Sequence, residues 1–230
     1  MNSYLSRADL APAHHLRRAG QWDIALSLVP GRDPAAAALR AEILVERHLW
    51  RLDPPDAAVA ACAEVDDPAL ANLLRAQLEY WRRLFRLGGS EVTADPVTEF
   101  GALRDHPEHG GWATFWHAIS TEQLLGDGDT AAAGYRRARE RADATGDRFL
   151  ESYAVRHQGD QLINRAGDRD GGIALLRRSL QLRAAEGARP QVAAAQVALA
   201  GELPPGAEAD ELRDIGRSIA RELGIPWLGD

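Results

Sequence analysis

Arg40, Arg47 and Arg51 recur at i, i+7 and i+11, which on a helix of 3.6 residues per turn brings three guanidinium groups within about 40° of one another. Arg75, Arg82 and Arg86 repeat that spacing. Two such stripes on adjacent helices would form a basic surface favouring carboxylate or phosphate groups, because a guanidinium donates through a planar, bidentate fork. The stripes serve a structural purpose equally well, pairing with Asp and Glu on neighbouring elements. Exposed pairs of that kind contribute about 0–1 kcal/mol each.

A second group of chemistry-bearing residues lies further along. "GGWATFWHA" gathers Trp112, Phe115, Trp116 and His117, more aromatic surface than one helix seam requires. Trp116, followed by His157, Gln161 and Asn164 on a later helix, has the composition of a peptide groove, in which amides hold an extended backbone. Core filling is the alternative for the aromatics. "RDHPEHGG" holds His106, Glu108 and His109, with His117 eight residues on. Histidine clusters bind zinc, but Pro107 and the paired glycines mark a loop rather than a helix face, so no metal is expected. His157 and Asp160 stand at i, i+3 and are the first pair to consider for acid–base work.

Other chemistries find little support. The chain has no G-x-S-x-G elbow, no H-E-x-x-H and no dinucleotide-binding glycine fingerprint. All 27 basic residues are arginine, which excludes a lysine Schiff base and a Walker-type phosphate loop. That bias suits the codon usage of a GC-rich bacterial genome, such as an actinobacterium. Cys62, the single cysteine, sits in "AAVAACAEV" and reads as a buried, inert thiol. No cofactor is expected, and no catalytic residue is assigned.

Composition narrows the partners. A net charge of −7 argues against general affinity for nucleic acid or an anionic membrane. No stretch approaches 18 uncharged apolar residues and the N-terminus lacks a secretory apolar run, so a cytoplasmic location is expected. With 45% hydrophobic residues over 230 positions, there is ample material for a core.

The elements that must position these residues are repeats. "LRAEILVERHLWRL" (39–52) overlays "LRAQLEYWRRLFRL" (74–87) with half its positions identical. Gly126-Asp127 in "GDGDTAAAGYRRARERADATGDRF" recurs 41 residues later as Gly167-Asp168, and Arg136-Arg137 as Arg177-Arg178. A looser copy pairs Leu176 with Ile215 and Leu180 with Ile219. Asp33-Pro34, Asp67-Pro68 and Asp95-Pro96 each place a capping acid before a proline suited to the first helical turn. Glycines at 20, 88, 126, 146, 167 and 187 fall where helices should stop. Recurrence at this period predicts an all-α helical solenoid forming one domain over 1–230. Its six hairpins are expected at 4–29, 34–64, 68–105, 112–144, 148–186 and 190–223.

The pattern resembles the tetratricopeptide-repeat family over essentially the whole chain. "LLGDGDTAAAGYRRARERA" carries the turn Gly126-Asp127, the close-packing Ala131, the aromatic Tyr135 and the small Ala138. "RAGDRDGGIALLRRSL" repeats this with Gly172, Leu176 and Ser179, and "RAGQWDIAL" offers Gly20, Trp22 and Ala25. The resemblance implies a superhelix whose first helices line a concave face. It further implies a non-catalytic scaffold binding a protein or peptide, with an acidic partner favoured by the arginines. The alternatives are a regulatory sensor of a small molecule or signalling peptide acting through a partner protein, and an enzyme of a biosynthetic pathway. Pro226, Trp227 and Leu228 end the chain on an apolar note, which either caps the last hairpin or docks a second copy as a homodimer.

Overall fold

The Asp-Pro pairs at Asp33, Asp67 and Asp95 each open a helix. Asp33 accepts the backbone N–H groups of Ala35 and Ala36, Asp67 those of Ala69 and Leu70, and Asp95 that of Thr98, with proline at the first turn in every case. The side-chain oxygen satisfies donors that the helix leaves orphaned, and proline there has no N–H to lose. The computed structural model describes residues 7–31, 33–88 and 95–228. Among these it places twelve α-helices and no strand.

The helices are α1 (Ala11–Arg18), α2 (Trp22–Ser27), α3 (Pro34–Arg51), α4 (Asp56–Ala63), α5 (Pro68–Leu84) and α6 (Pro96–Leu103). They continue with α7 (Gly110–Leu125), α8 (Gly128–Thr145), α9 (Arg148–Gln161), α10 (Arg169–Ala185), α11 (Arg189–Glu202) and α12 (Ala207–Leu223). A π turn over Leu162–Ala166 extends α9, and a 3₁₀ turn covers Pro226–Leu228. The first helix begins later than the repeat pattern predicts: residues 8–10 form a turn, and positions 4–6 lie outside the described residues.

The recurring Gly-Asp dipeptide performs two tasks at once. Gly126 and Gly167 adopt left-handed φ of 72° and 71°, ending α7 and the π turn where a Cβ would strain the backbone. The following aspartate then caps the next helix: Asp127 accepts from Thr130 N at 3.0 Å and Asp168 from Gly171 N at 2.9 Å. One dipeptide thus stops a helix and starts its partner. At the end of α5 the expected stop at Gly88 is not used. Arg86 takes the left-handed turn instead, with φ of 53°.

The contacts divide the helices into two compact units, Met1–Arg17 with Gln21–Ala131, and Arg18–Gly20 with Ala132–Asp230. In the first, α3 packs on α4 and α5, and α5 packs on α6 and α7. The overlay of residues 39–52 on 74–87 survives in the packing, because Leu39, Ala41, Ile43 and Val45 are buried together with Leu74, Ala76, Leu78 and Tyr80. Arg40, Arg75 and Gln77 between them are half-buried, whereas Glu42 and Glu79 are buried with the apolar set.

In the second unit α9 packs on α10, α10 on α11, and α11 on α12. Helices approach closely only where the crossing residue is small. A Cβ added at Gly159 would lie 2.9 Å from the Gly172 carbonyl oxygen, and one at Gly172 would lie 2.7 Å from the Gly159 carbonyl oxygen. The 41-residue repeat is visible as burial: Ala131, which closes the first unit, and Tyr135 and Ala138 of α8 are buried, as are Gly172, Leu176 and Ser179 of α10. The looser third copy does not keep that register. Ile215, aligned with Leu176, is 41% exposed, and α12 buries Ala209, Gly216, Ala220 and Leu223 instead. The Pro226–Leu228 turn packs on α11 and α12 and buries Leu228.

Candidate functional site

The arginine stripes lie in the first unit, and their partners differ along the chain. Arg47 Nη1 donates to Asp23 at 3.0 Å, and its Nε lies 2.9 Å from an Asp53 oxygen. Arg51 donates to the other Asp23 oxygen at 2.8 Å. The bond from Arg51, joined by that from Arg47, holds the Asp23 carboxyl below the usual carboxylate range. Arg40 donates to the Gly31 carbonyl at 2.9 Å, and Arg75 to the Asn72 side chain at 2.9 Å. Arg82 grips Glu79 through Nε at 2.8 Å and Nη2 at 2.7 Å, and Arg83 joins the same carboxylate at 2.7 Å. Glu79 is fully buried, and the bonds from Arg82 and Arg83 supply the polar partners that a buried carboxyl group requires. Arg86 is exposed.

Trp116 stands in the aromatic core of the same unit. Its ring stacks on Phe100 at 5.9 Å and meets Tyr80, Trp81 and Phe115 edge-on at 5.8, 6.1 and 5.6 Å. Only 7% of the residue is exposed. Nearby in sequence, His109 Nε2 donates to the carboxylate of the Asp67 cap at 2.8 Å, and its ring stacks on His106 at 4.9 Å. Asp67, Glu108 and His109 each bring one potential ligand atom to within 4.8 Å of the others. Asp67 comes from a position 42 residues away, so no local motif could have supplied it. His117 is not in that group; burial, then Arg104, lowers its pKa. The Cys62 thiol is buried and pushed up to about 11 by its desolvation, which suppresses the thiolate that reactivity requires.

The second unit holds a cleft of about 450 Å³ between α8 and α9, closed at one side by α10. One stripe of α8 forms a wall: Ala132, Tyr135, Arg136, Arg139, Glu140 and Asp143. Gln158, Gln161, Leu162 and Leu175 complete it. The lining therefore offers amides, two guanidinium groups, two carboxylates and an apolar floor. Arg139 donates to the Gln158 oxygen at 3.2 Å, which turns that amide's nitrogen into the group left to donate. Gln161 lies in the cleft, whereas Asn164 is exposed on the π turn. The repeat pattern points to the first helix of each hairpin, whereas this wall belongs to a second helix. Its signal was nevertheless present, since these six positions share one helix face.

His157 lies beneath the cleft, its ring stacked on Tyr135 at 4.8 Å and 17°. Desolvation, then Arg156 and Arg183, holds it well below the ordinary 6.5. The Asp160 carboxylate is 3.9 Å from His157 Nδ1 but is bound to Arg156 at 2.7 Å. A neutral buried histidine makes stability depend on pH. Below about 6.5 the unfolded chain takes up a proton that the folded chain refuses, so stability rises with pH. It should fall by up to about 1.4 kcal/mol per pH unit on acidification from there. Thermal melts between pH 7 and 5 should show a shallower loss for His157→Gln than for the wild type, and equal slopes would remove the claim that His157 stays neutral.

No helix of the described residues is long and apolar enough to cross a membrane. Comparison of the chain with protein-family models, curated proteins and solved structures finds no match.

Proposed function

We propose that this chain is a non-catalytic docking scaffold, a tetratricopeptide-like helical solenoid that holds an extended segment of a partner protein in the cleft between α8 and α9. The observation that carries the proposal is the lining of that cleft. Gln158 and Gln161 offer amides suited to a peptide backbone, Leu162 and Leu175 an apolar floor, and Arg136 and Arg139 charges for an acidic side chain. Most of the arginines in the two stripes have bonding partners within the first unit. For Arg47, Arg51 and Arg82 the partner is a carboxylate, which spends the charge of half the stripe residues on the fold. The preferred segment would carry an acidic residue beside an apolar one.

A random peptide library displayed on phage and selected on the whole chain tests this. The account expects an enriched acidic-apolar motif whose affinity drops at least tenfold in Gln161→Ala and in Arg139→Glu, both of which should melt like the wild type. Failure to enrich any motif, or enrichment that both variants bind undiminished, would overturn it.

A further inference from the structure

Arg183 is buried in the second unit, with only 3% of the residue exposed. Three successive helices fix its guanidinium. On α10 it sits in the last turn; its Nη1 donates to the Gln191 carbonyl of α11 at 2.9 Å; and its Cζ lies over the Tyr153 ring of α9, 4.8 Å from the centroid. The remaining edge is unused: Nε is buried with no hydrogen-bond partner, and neither Nε nor Nη2 bonds to any described residue. Nε and Nη2 are the two donors that point the same way from a guanidinium, the side-on fork that matches both oxygens of a carboxylate or phosphate.

Charge leads to the same place. Arg183 forms no ion pair with a described residue. Asp160 is the acid that acts on it electrostatically, and Asp160 is already bound to Arg156 at 2.7 Å. The group of Arg156, Asp160 and Arg183, beside a neutral His157, therefore holds one positive charge in excess. Buried charges in proteins are ordinarily paired, because desolvation without a counter-charge is costly. An arginine needed only to bond one carbonyl and cover one ring would gain nothing from an ionised, unpaired fork.

We propose that the Nε–Nη2 edge of Arg183 is an oxyanion site that receives a carboxylate or phosphate group, with Tyr153 and the Gln191 carbonyl holding the fork ready. The site is distinct from the cleft. Its residues on α9, Tyr153 and Arg156, lie on another stripe from Gln158, Gln161 and Leu162, so the proposal stands or falls without the peptide reading.

The test is a titration of the whole chain with sodium phosphate and, separately, sodium acetate, at constant ionic strength set with sodium chloride. The Arg183 Nε–Hε resonance is the readout, assigned by its loss in Arg183→Met, or in Arg183→Lys if the methionine variant does not fold. A saturable shift of that resonance with at least one anion, several times larger than the shift at exposed Arg221 of α12, which lies outside the cleft, is expected. The anion with the lower midpoint identifies the group recognised. The wild type should also gain melting temperature with that anion over chloride, and Arg183→Met should lose the gain. A resonance that moves no more than that of Arg221 with either anion would overturn the proposal.

Discussion

Trp116→Ala should destabilise the protein by about 3–5 kcal/mol, the range for truncating a large buried aromatic. Four rings surround this side chain within 5.6–6.1 Å, so the cavity is walled by groups that cannot all collapse into it. Aromatic pairs of this geometry also contribute about 0.5–1.5 kcal/mol each beyond their buried area. Against a total stability of about 5–15 kcal/mol, such a loss would leave the first unit marginal. Urea unfolding followed by near-ultraviolet circular dichroism checks it, with Trp116→Phe expected to recover more than half the loss. A variant melting within 1 kcal/mol of the wild type would mean that Trp116 is not a core residue and would return it to the candidates for ligand contact.

Gly172→Val should be nearly as damaging, for the opposite reason. A Cβ at 172 falls 2.3 Å from Ile163 Cγ1 and 2.7 Å from the Gly159 carbonyl oxygen. The isoleucine can rotate, but the carbonyl belongs to α9 and yields only if the two helices part. Overpacking of this kind costs about 1–3 kcal/mol even for modest insertions. The gain in helix propensity on leaving glycine, about 1 kcal/mol, does not offset a clash with backbone. Gly172→Ala should therefore destabilise despite its better propensity, and Gly172→Val should do so by about 3 kcal/mol or more. Gly201, in α11 with nothing within 4 Å of a built Cβ, supplies the control: Gly201→Ala should be neutral or stabilising by up to about 1 kcal/mol. If both glycines respond alike, close approach of α9 and α10 is not what holds Gly172 small.

The helices were legible because their punctuation is local. Asp-Pro caps and Gly-Asp turns act within three or four residues, and the sequence displays them directly. Burial along α3 and α5 was legible from the overlay of 39–52 on 74–87 for the same reason. Where the structure departs, the cause is tertiary. Arg86, not Gly88, ends α5, and Ile215 is exposed although its alignment with Leu176 implies an inward position. Helix–helix crossing, not spacing alone, decides which face of α12 is covered.

The candidate site was less legible. Gln161 is readable from the periodicity of α9, but the α8 wall belongs to a second helix, and the repeat pattern directs only first helices toward a concave face. The arginine stripes were visible as a pattern, yet a pattern of charge does not show what lies opposite. Asp23 for Arg47 and Arg51, and Glu79 for Arg82, became apparent only with three-dimensional packing. Asp67 beside His109, and Arg183 against Tyr153 and Gln191, have no local signature at all.

The most direct measurement is photo-crosslinking of a library-selected peptide that carries a benzophenone residue at its centre, with the attachment sites on the whole chain read by mass spectrometry. Attachment at Arg136, Arg139, Gln158 or Gln161 is the result predicted for a docking cleft between α8 and α9. Attachment confined to the helices of Arg47 and Arg82 would contradict it and place recognition on the arginine stripes of the first unit.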